Sequence, residues 1–378
     1  MGENSQTQQK EQTAPPTVRE LNLAHTSWYW VHHPTHPKKL RFSLQGGRLF
    51  LHLNNKRICV GIDLSDMTAS NWVESASHKQ RAAIRTAKTS WLEHVYLLNQ
   101  LPKLEALECS AVNDEQLEWI ARQELPLRFL YLAWCERLTD LSPLAKMDGL
   151  VRLALTDCPD VLKLEPLESL TGLQRFDLIH CDRVDDLEPL AKLKKLRRLV
   201  VRNCKNFYNT RPIAVLPRLK SLDLSRCKKL SELEPLGALD QLVSLDLSGC
   251  RGVTDVSPLQ NLTNLKELSL FDCGSVADLR PLYKLPEHLK LSLPNRIGDG
   301  DLLGVCISYK NLRKLDLRNC QNITDLEPLS QLTELRELTL AGCSGVEDIS
   351  PLSNLKKLQR LDLAFCSEID DLTPLFEL

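Results

Sequence analysis

The feature that most constrains this chain is a period. Leu104, Leu127, Leu150, Leu173, Leu196, Leu219, Leu242 and Leu265 recur every 23 residues. His288 takes the next slot, one residue is inserted, and the phase resumes at Leu312, Leu335 and Leu358, giving twelve starts. The unit reads L-x-x-L-x-L-x-x-C-x-x-[LIV]-x-D-L-x-P-L-x-x-L, as in the stretch from Leu242 through Leu245, Leu247, Cys250, Val253, Asp255, Pro258 and Leu259 to Leu262. The alternation in L-x-L places both leucines on one face of a short strand and the intervening residue on the other. The proline fixes φ and lacks an N–H, which suits the first position of a tight turn or a one-turn helix. A unit this short cannot bury its own leucine ridge, so neighbours must stack into one cooperative body.

The repeat resembles the leucine-rich-repeat superfamily over residues 104–378, about three quarters of the chain. Its D-L-x-P-L tail is similar to phosphatase-regulator and internalin repeats, which carry Asn where this chain has Cys. The C-x-x-[LIV]-x-D stretch is similar to the cysteine-containing repeats of F-box substrate adaptors. The resemblance implies an α/β solenoid, a horseshoe with a parallel sheet on the concave face and short turns or 3-10 helices on the convex face. Twelve strands at ~4.8 Å would make a sheet roughly 55–60 Å wide.

Ten of the thirteen cysteines share one phase of the repeat: Cys135, Cys158, Cys181, Cys204, Cys227, Cys250, Cys273, Cys320, Cys343 and Cys366. A phase-locked Cys fills one structural slot repeatedly and packs as a small hydrophobe with a weak S–H donor. Zinc sites need paired short spacings such as C-x-x-C, and the chain has none. Without an export signal, buried reduced thiols fit a cytoplasmic protein, or one delivered to a host cytoplasm.

Repeat nine departs from the pattern. Arg296 stands in the ladder position, and a run from Gly298 through Asp301 to Cys306 replaces the D-L-x-P-L turn. A longer helix over about 300–309 is expected, either as drift at an array seam or as a bend that shapes a site.

The rest of the chain has a different texture. Residues 1–17 are polar and read as a disordered tail. Residues 18–103 read as a cap or a docking module. Three apolar runs, 40–44, 49–53 and 58–62, suggest a β-meander. Val73, Ser77, Ile84, Ala87, Trp91, Val95 and Leu98 recur at helical steps, predicting a helix over 72–99 with Asn71 and Glu74 at its start. His32, His33 and His36 lie among Trp28, Tyr29 and Trp30, but no acidic or thiol ligand accompanies them, so packing is favoured over metal.

With 48 basic and 49 acidic residues the net charge is -1, which disfavours bulk nucleic acid and acidic membranes as main partners. No run of apolar residues is long enough to span a bilayer. G-x-S-x-G, H-E-x-x-H and Walker motifs are absent, and no cofactor is called for. The expected role is therefore a non-enzymatic module that binds another protein on its concave face. The alternatives are the recognition subunit of a ubiquitin-ligase, effector or immune-type complex, and a small catalytic module in residues 18–103.

The candidate contact residues lie at the outward strand positions and just beyond them. They are Phe129, Tyr131, Trp134, Arg152, Arg175, Asp177, His180, Arg198, Arg202, Asp223, Arg226, Asp246, Phe271, Asp316, Arg318 and Phe365. Asp223 and Asp246 should be neighbours across strands, and Arg202 and Arg226 are placed to compensate them. The surface then reads either as a self-satisfied charge ladder or as a specificity surface. The basic run from Lys192 to Lys205 suggests an acidic partner surface. The last leucine ridge, with Leu361 and Leu372, is either covered by Phe376 and Leu378 as a lid or left open for self-association.

Overall fold

A computed structural model describes residues 41–45, 48–53, 56–65, 67–89 and 92–378. The polar tail and the Trp28–His36 cluster lie outside those residues. The chain forms two compact units, the first running to Ser110 with Arg122–Leu130 added, the second comprising Ala111–Ala121 and Tyr131–Leu378.

In the first unit β1 (Arg41–Gln45), β2 (Arg48–Leu53) and β3 (Lys56–Asp63) pair antiparallel as a meander. The structure corrects the long helix. The segment is divided among α1 (Met67–Ser75), α2 (His78–Arg81), β4 (Thr86–Thr89) and a 3-10 helix, Leu92–Gln100. Asn71 and Glu74 lie inside α1, and the capping box belongs to Ser77 and Gln80 at the start of α2. Strand β4 pairs parallel with β3 on one side and with β5 (Ala106–Ser110) on the other. Ile84, Ala87 and Thr89 are buried at the L-x-x-L-x-L spacing, so the repeat geometry begins at least one unit before Leu104. A helical period and a degenerate repeat place apolar residues at overlapping positions, and β-sheet pairing decided between them.

In the second unit the parallel strands run in chain order. They are β7 (Arg152–Thr156), β8 (Arg175–Ile179), β9 (Arg198–Arg202), β10 (Ser221–Asp223), β11 (Ser244–Asp246), β12 (Glu267–Ser269), β13 (Lys290–Ser292), β14 (Lys314–Asp316), β15 (Glu337–Thr339) and β16 (Arg360–Asp362). The first strand leucines stay in register, Leu245 beside Leu268, then Leu291, Leu315, Leu338 and Leu361. Leu242, Leu245, Leu247, Cys250, Val253, Val256, Leu259 and Leu262 are all buried, so one unit contributes eight side chains to the shared core. The proline turns form short 3-10 helices, for example Ser257–Asn261.

The aspartate of the repeat makes that turn. Asp140, Asp186, Asp255, Asp278, Asp325, Asp348 and Asp371 each accept the N–H two residues on, at 2.7–3.0 Å. A carboxylate folded onto its own backbone thus satisfies an N–H at the start of the turn that has no partner within it.

The cysteine ladder has a regular bond. From Cys158 onward each ladder Sγ donates to a carbonyl of the preceding unit at 3.0–3.8 Å, that of the second residue of the L-x-L pair except at Cys320, which reaches Pro294. Burial pushes most of these thiols up, Cys204, Cys227 and Cys273 to about 12 and Cys343 to about 11. They are poor nucleophiles and good structural donors.

Repeat nine contains α5 (Asp299–Ser308), the helix expected there. One register detail differs: Leu289, not His288, is the buried residue, and His288 is exposed. The second unit also holds most of α3 (Asp114–Arg122), in the same position of its own repeat. Asp114 accepts from the Thr139 N–H, the Thr139 hydroxyl and the Asp140 N–H, all at 2.7–2.9 Å. Asp299 does the same with Thr324 and Asp325, at 2.8–3.1 Å.

Candidate functional site

The outward positions of the sheet and the turn beyond them hold most of the candidate residues. Their backbone differs from what periodicity alone suggests. Ala111, Trp134, Asp157, His180, Asn203, Arg226, Asp272, Asn319 and Phe365 share a left-handed backbone, φ +52° to +63°, and Gly249 and Gly342 take the same slot. This is the residue just before the ladder cysteine in every repeat from Trp134 onward except the ninth. In most of these the N–H donates to a carbonyl of the next repeat, as from Trp134 to Thr156 and from His180 to Arg202. The left-handed region costs a non-glycine residue roughly 1–2 kcal/mol, and that inter-repeat bond helps to offset it. The turn lifts a column of side chains at the edge of the sheet. No signal in the pattern marks it except the scattered Gly and Asn among bulky residues.

Two candidates there are prominent, Trp134 at 63% and Phe365 at 89% exposure. Tyr131 is half-buried. Phe129 is a correction: it belongs to the first unit, is buried beside Ala106 and offers no contact surface. Phe271 is half-buried, with the Arg318 guanidinium 5.7 Å from its ring centre. His180 Nδ1 lies 2.7 Å from Asp157 Oδ1, a pair linking adjacent members of the left-handed column.

The central aspartates are only partly available to a partner. Asp223 accepts from the Ser225 N–H at 3.0 Å and its hydroxyl at 2.6 Å, and it is ion-paired with Arg202. Asp246 accepts from the Ser248 N–H at 2.9 Å and from its hydroxyl, and Asp316 accepts the Arg318 N–H at 3.1 Å. These carboxylates satisfy the N–H two residues on, where the three-residue strands end, so they serve the fold first. The Asp223–Asp246 adjacency is present. Arg202 compensates it, whereas Arg226 makes no ion pair among the described residues; Asp246 relies on Ser248 instead.

The outward position at the start of each strand forms a second column. Arg152, Arg175 and Arg198 are aligned on adjacent strands. Arg175 grips Asp177 on its own strand, with Nη2 2.7 Å from Oδ2. Further along, Lys290 pairs with Glu267 at 2.5 Å, and Lys314 and Arg360 both pair with Glu337, at 2.9 and 3.3 Å. The ladder is thus self-satisfied in its later half.

Where Arg296 interrupts the cysteine ladder there is an open recess of about 500 Å³, lined by Asn295, Arg296, Asn319, Gln321 and Asn322. Among the described residues no group of His, Cys, Asp and Glu could hold a metal ion. No helix among them is long and apolar enough to cross a membrane. At the end of the array Phe376 is 88% exposed and Leu372 53%, so Phe376 does not fold back as a lid.

Two family models match. Residues 162–233 match Zer-1-like leucine-rich repeats, and residues 310–353 and 333–377 match a model of two leucine-rich repeats. Comparison with curated proteins gives no match. Among solved structures the chain is similar to an internalin from Listeria monocytogenes at 23% identity, covering 82% of this chain and 92% of that one, with a TM-score of 0.62. It is also similar to a leucine-rich-repeat protein of Leptospira interrogans at 18% identity, covering 76% and 79%, with a TM-score of 0.52. At these identities the likeness is one of fold. Together with the phased leucines, the aspartate-capped proline turns and the ladder of inter-repeat bonds, it makes the chain a leucine-rich-repeat protein.

Proposed function

We propose that the repeat array is a non-enzymatic protein-binding module that takes its partner across the outward face of the sheet, the face expected to be concave. The observation that carries this reading is the pair of large aromatic side chains, Trp134 and Phe365, held exposed in a left-handed backbone conformation. Exposing such rings gives up burial, whereas rigid aromatic anchors are typical centres of protein interfaces. Leucine-rich-repeat proteins in general bind other macromolecules, which agrees with it. The thiol ladder supports a reducing compartment, because each Sγ must keep its hydrogen to donate it.

The test is site-specific photo-crosslinking in the full-length chain. A photoreactive residue in place of Trp134 or Phe365 should capture the same partner. One in place of Lys146 or Lys284, on the turn side of the repeats, should not. Capture from the turn-side positions alone would overturn the reading.

A further inference from the structure

The two halves of the strand-start column differ. From Glu267 onward the column reads Glu, Lys, Lys, Glu, Arg, and each cation is ion-paired with one of the two acids. Between Arg152 and Ser244 the same column reads Arg, Arg, Arg, Ser, Ser, with no acid in it. The three arginines fall on β7, β8 and β9 in register, so their backbones are ~4.8 Å apart and the row spans about 10 Å. Asp177 reaches this row and is held by Arg175 through both Nε and Nη2, and Asp223 also attracts the Arg198 guanidinium. The Arg198 side chain is exposed and makes no ion pair among the described residues. Partial burial, followed by repulsion from Arg175, holds the Arg152 and Arg198 guanidiniums below their usual range. Protein folding gains nothing from stacking like charges on adjacent strands, which is destabilising where they sit directly opposite.

We infer that the Arg152–Arg175–Arg198 row is a docking site for an acidic protein segment in extended conformation, with carboxylates at alternate residues. This rests on the outward face being the binding face, and it adds the chemistry of the partner. In an extended chain, residues i and i+2 lie on one side about 7 Å apart, so two carboxylates fit within a row of three guanidiniums about 10 Å long. Guanidinium–carboxylate pairs are charge-assisted and can be bidentate. The flanks argue against a long polyanion. Beyond Arg198 the face carries Asp223, Asp246 and Glu267 on successive strands; Asp223 is paired with Arg202 and Glu267 with Lys290, while Asp246 has no ion pair of its own among the described residues. A nucleic-acid strand continuing in that direction would meet repulsion, whereas a protein segment can follow its acids with neutral or basic residues.

The experiment measures anisotropy of a labelled peptide, Gly-Ser-Glu-Ser-Glu-Ser-Glu-Ser-Gly, titrated with the full chain at low and moderate salt. The peptide should bind, weaken as salt rises, and lose about tenfold or more with Arg198→Gln. Arg198→Lys should restore part of the loss. Lys290→Gln removes one positive charge that is already engaged by Glu267, and should leave binding unchanged. Circular dichroism confirms that each variant is folded. Equal losses from Arg198→Gln and Lys290→Gln would reduce the effect to net charge and overturn the assignment. So would no binding, or tighter binding of a ten-residue oligothymidylate than of the peptide. Any of these would leave cross-links from Trp134 and Phe365 standing, so the docking row and the binding face fail separately.

Discussion

Glu108 offers a direct measurement of what burial on this sheet does to a carboxylate. It is 8% exposed in β5, and its Oε2 has no hydrogen-bond partner among the described residues. Lys88 Nζ, on the neighbouring strand β4, stands 3.6 Å from Oε1. Desolvation outweighs that lysine and pushes the carboxyl up from 4.5 to about 7, with Asp63 adding to the rise. Because the folded value lies above the unfolded one, the folded state holds the proton more tightly. The associated stability is fully present below about pH 4.5 and is lost as pH rises through about 7. A shift of this size is worth about 3 kcal/mol at ~1.4 kcal/mol per unit. The assay is denaturant unfolding of wild type and Glu108→Gln from pH 4.5 to 8, with hydrogen exchange of the β4 and β5 amides as a local readout. The variant should gain about 3 kcal/mol on wild type across that range, most of it between pH 5 and 7. A difference that stays flat with pH would refute the argument, and would mean that Glu108 remains ionised throughout.

Three further outcomes follow from the packing. Native protein should show few thiols reactive to a disulfide reagent and denatured protein many, since the ladder from Cys135 to Cys343 is fully buried; disulfides between ladder neighbours in the intact protein would contradict the donor role. Leu247→Asp places a carboxylate at a fully buried position shared by stacked repeats; it should cost several kcal/mol and abolish exchange protection beyond its own repeat, and an unchanged thermal transition would refute the register. Gly252→Ala would set a Cβ 2.6 Å from the Leu230 carbonyl oxygen, whereas a Cβ at Gly300 meets nothing within 4 Å; the first should destabilise, and the second should stabilise α5 by up to ~1 kcal/mol, both read from unfolding midpoints.

The fold was legible wherever one residue type does one job at a fixed phase. Leucines, ladder cysteines, turn prolines and capping aspartates are locked in this way, and each occupies an observed slot. Legibility failed where composition drifts. Ile84, Ala87 and Thr89 fill the strand slots without a leucine among them, and Ser77, Val73 and Ile84 imitate a helical stripe. The surface was harder to read, because an outward position can be an anchor, a cap or a filled gap. Phe129 is covered while Trp134, five residues on, is exposed. The aspartates at the strand centre look like charges offered to a partner, yet several of them satisfy their own backbone. Spacing fixes which face a residue is on; solvation and local hydrogen bonding decide what it does there.

That distinction bears on repeat nine, where drift and design give the same sequence signature, the loss of the proline turn. Drift would lose the turn's hydrogen bonds along with its proline. Instead Asp299 at the start of α5 receives two N–H groups and a hydroxyl from the next repeat, as Asp114 does at the start of α3. At the far end of the helix the buried Tyr309 hydroxyl donates back to the Leu282 carbonyl in the repeat before. The helical repeat is therefore tied to both neighbours by polar contacts that the proline repeats do not make. Such bonds cost stability when broken, because each leaves a buried or capped group unsatisfied. Two repeats with the same aspartate anchor form a second unit type within the array. The interruption of the cysteine ladder at Arg296 falls in the second of these two repeats.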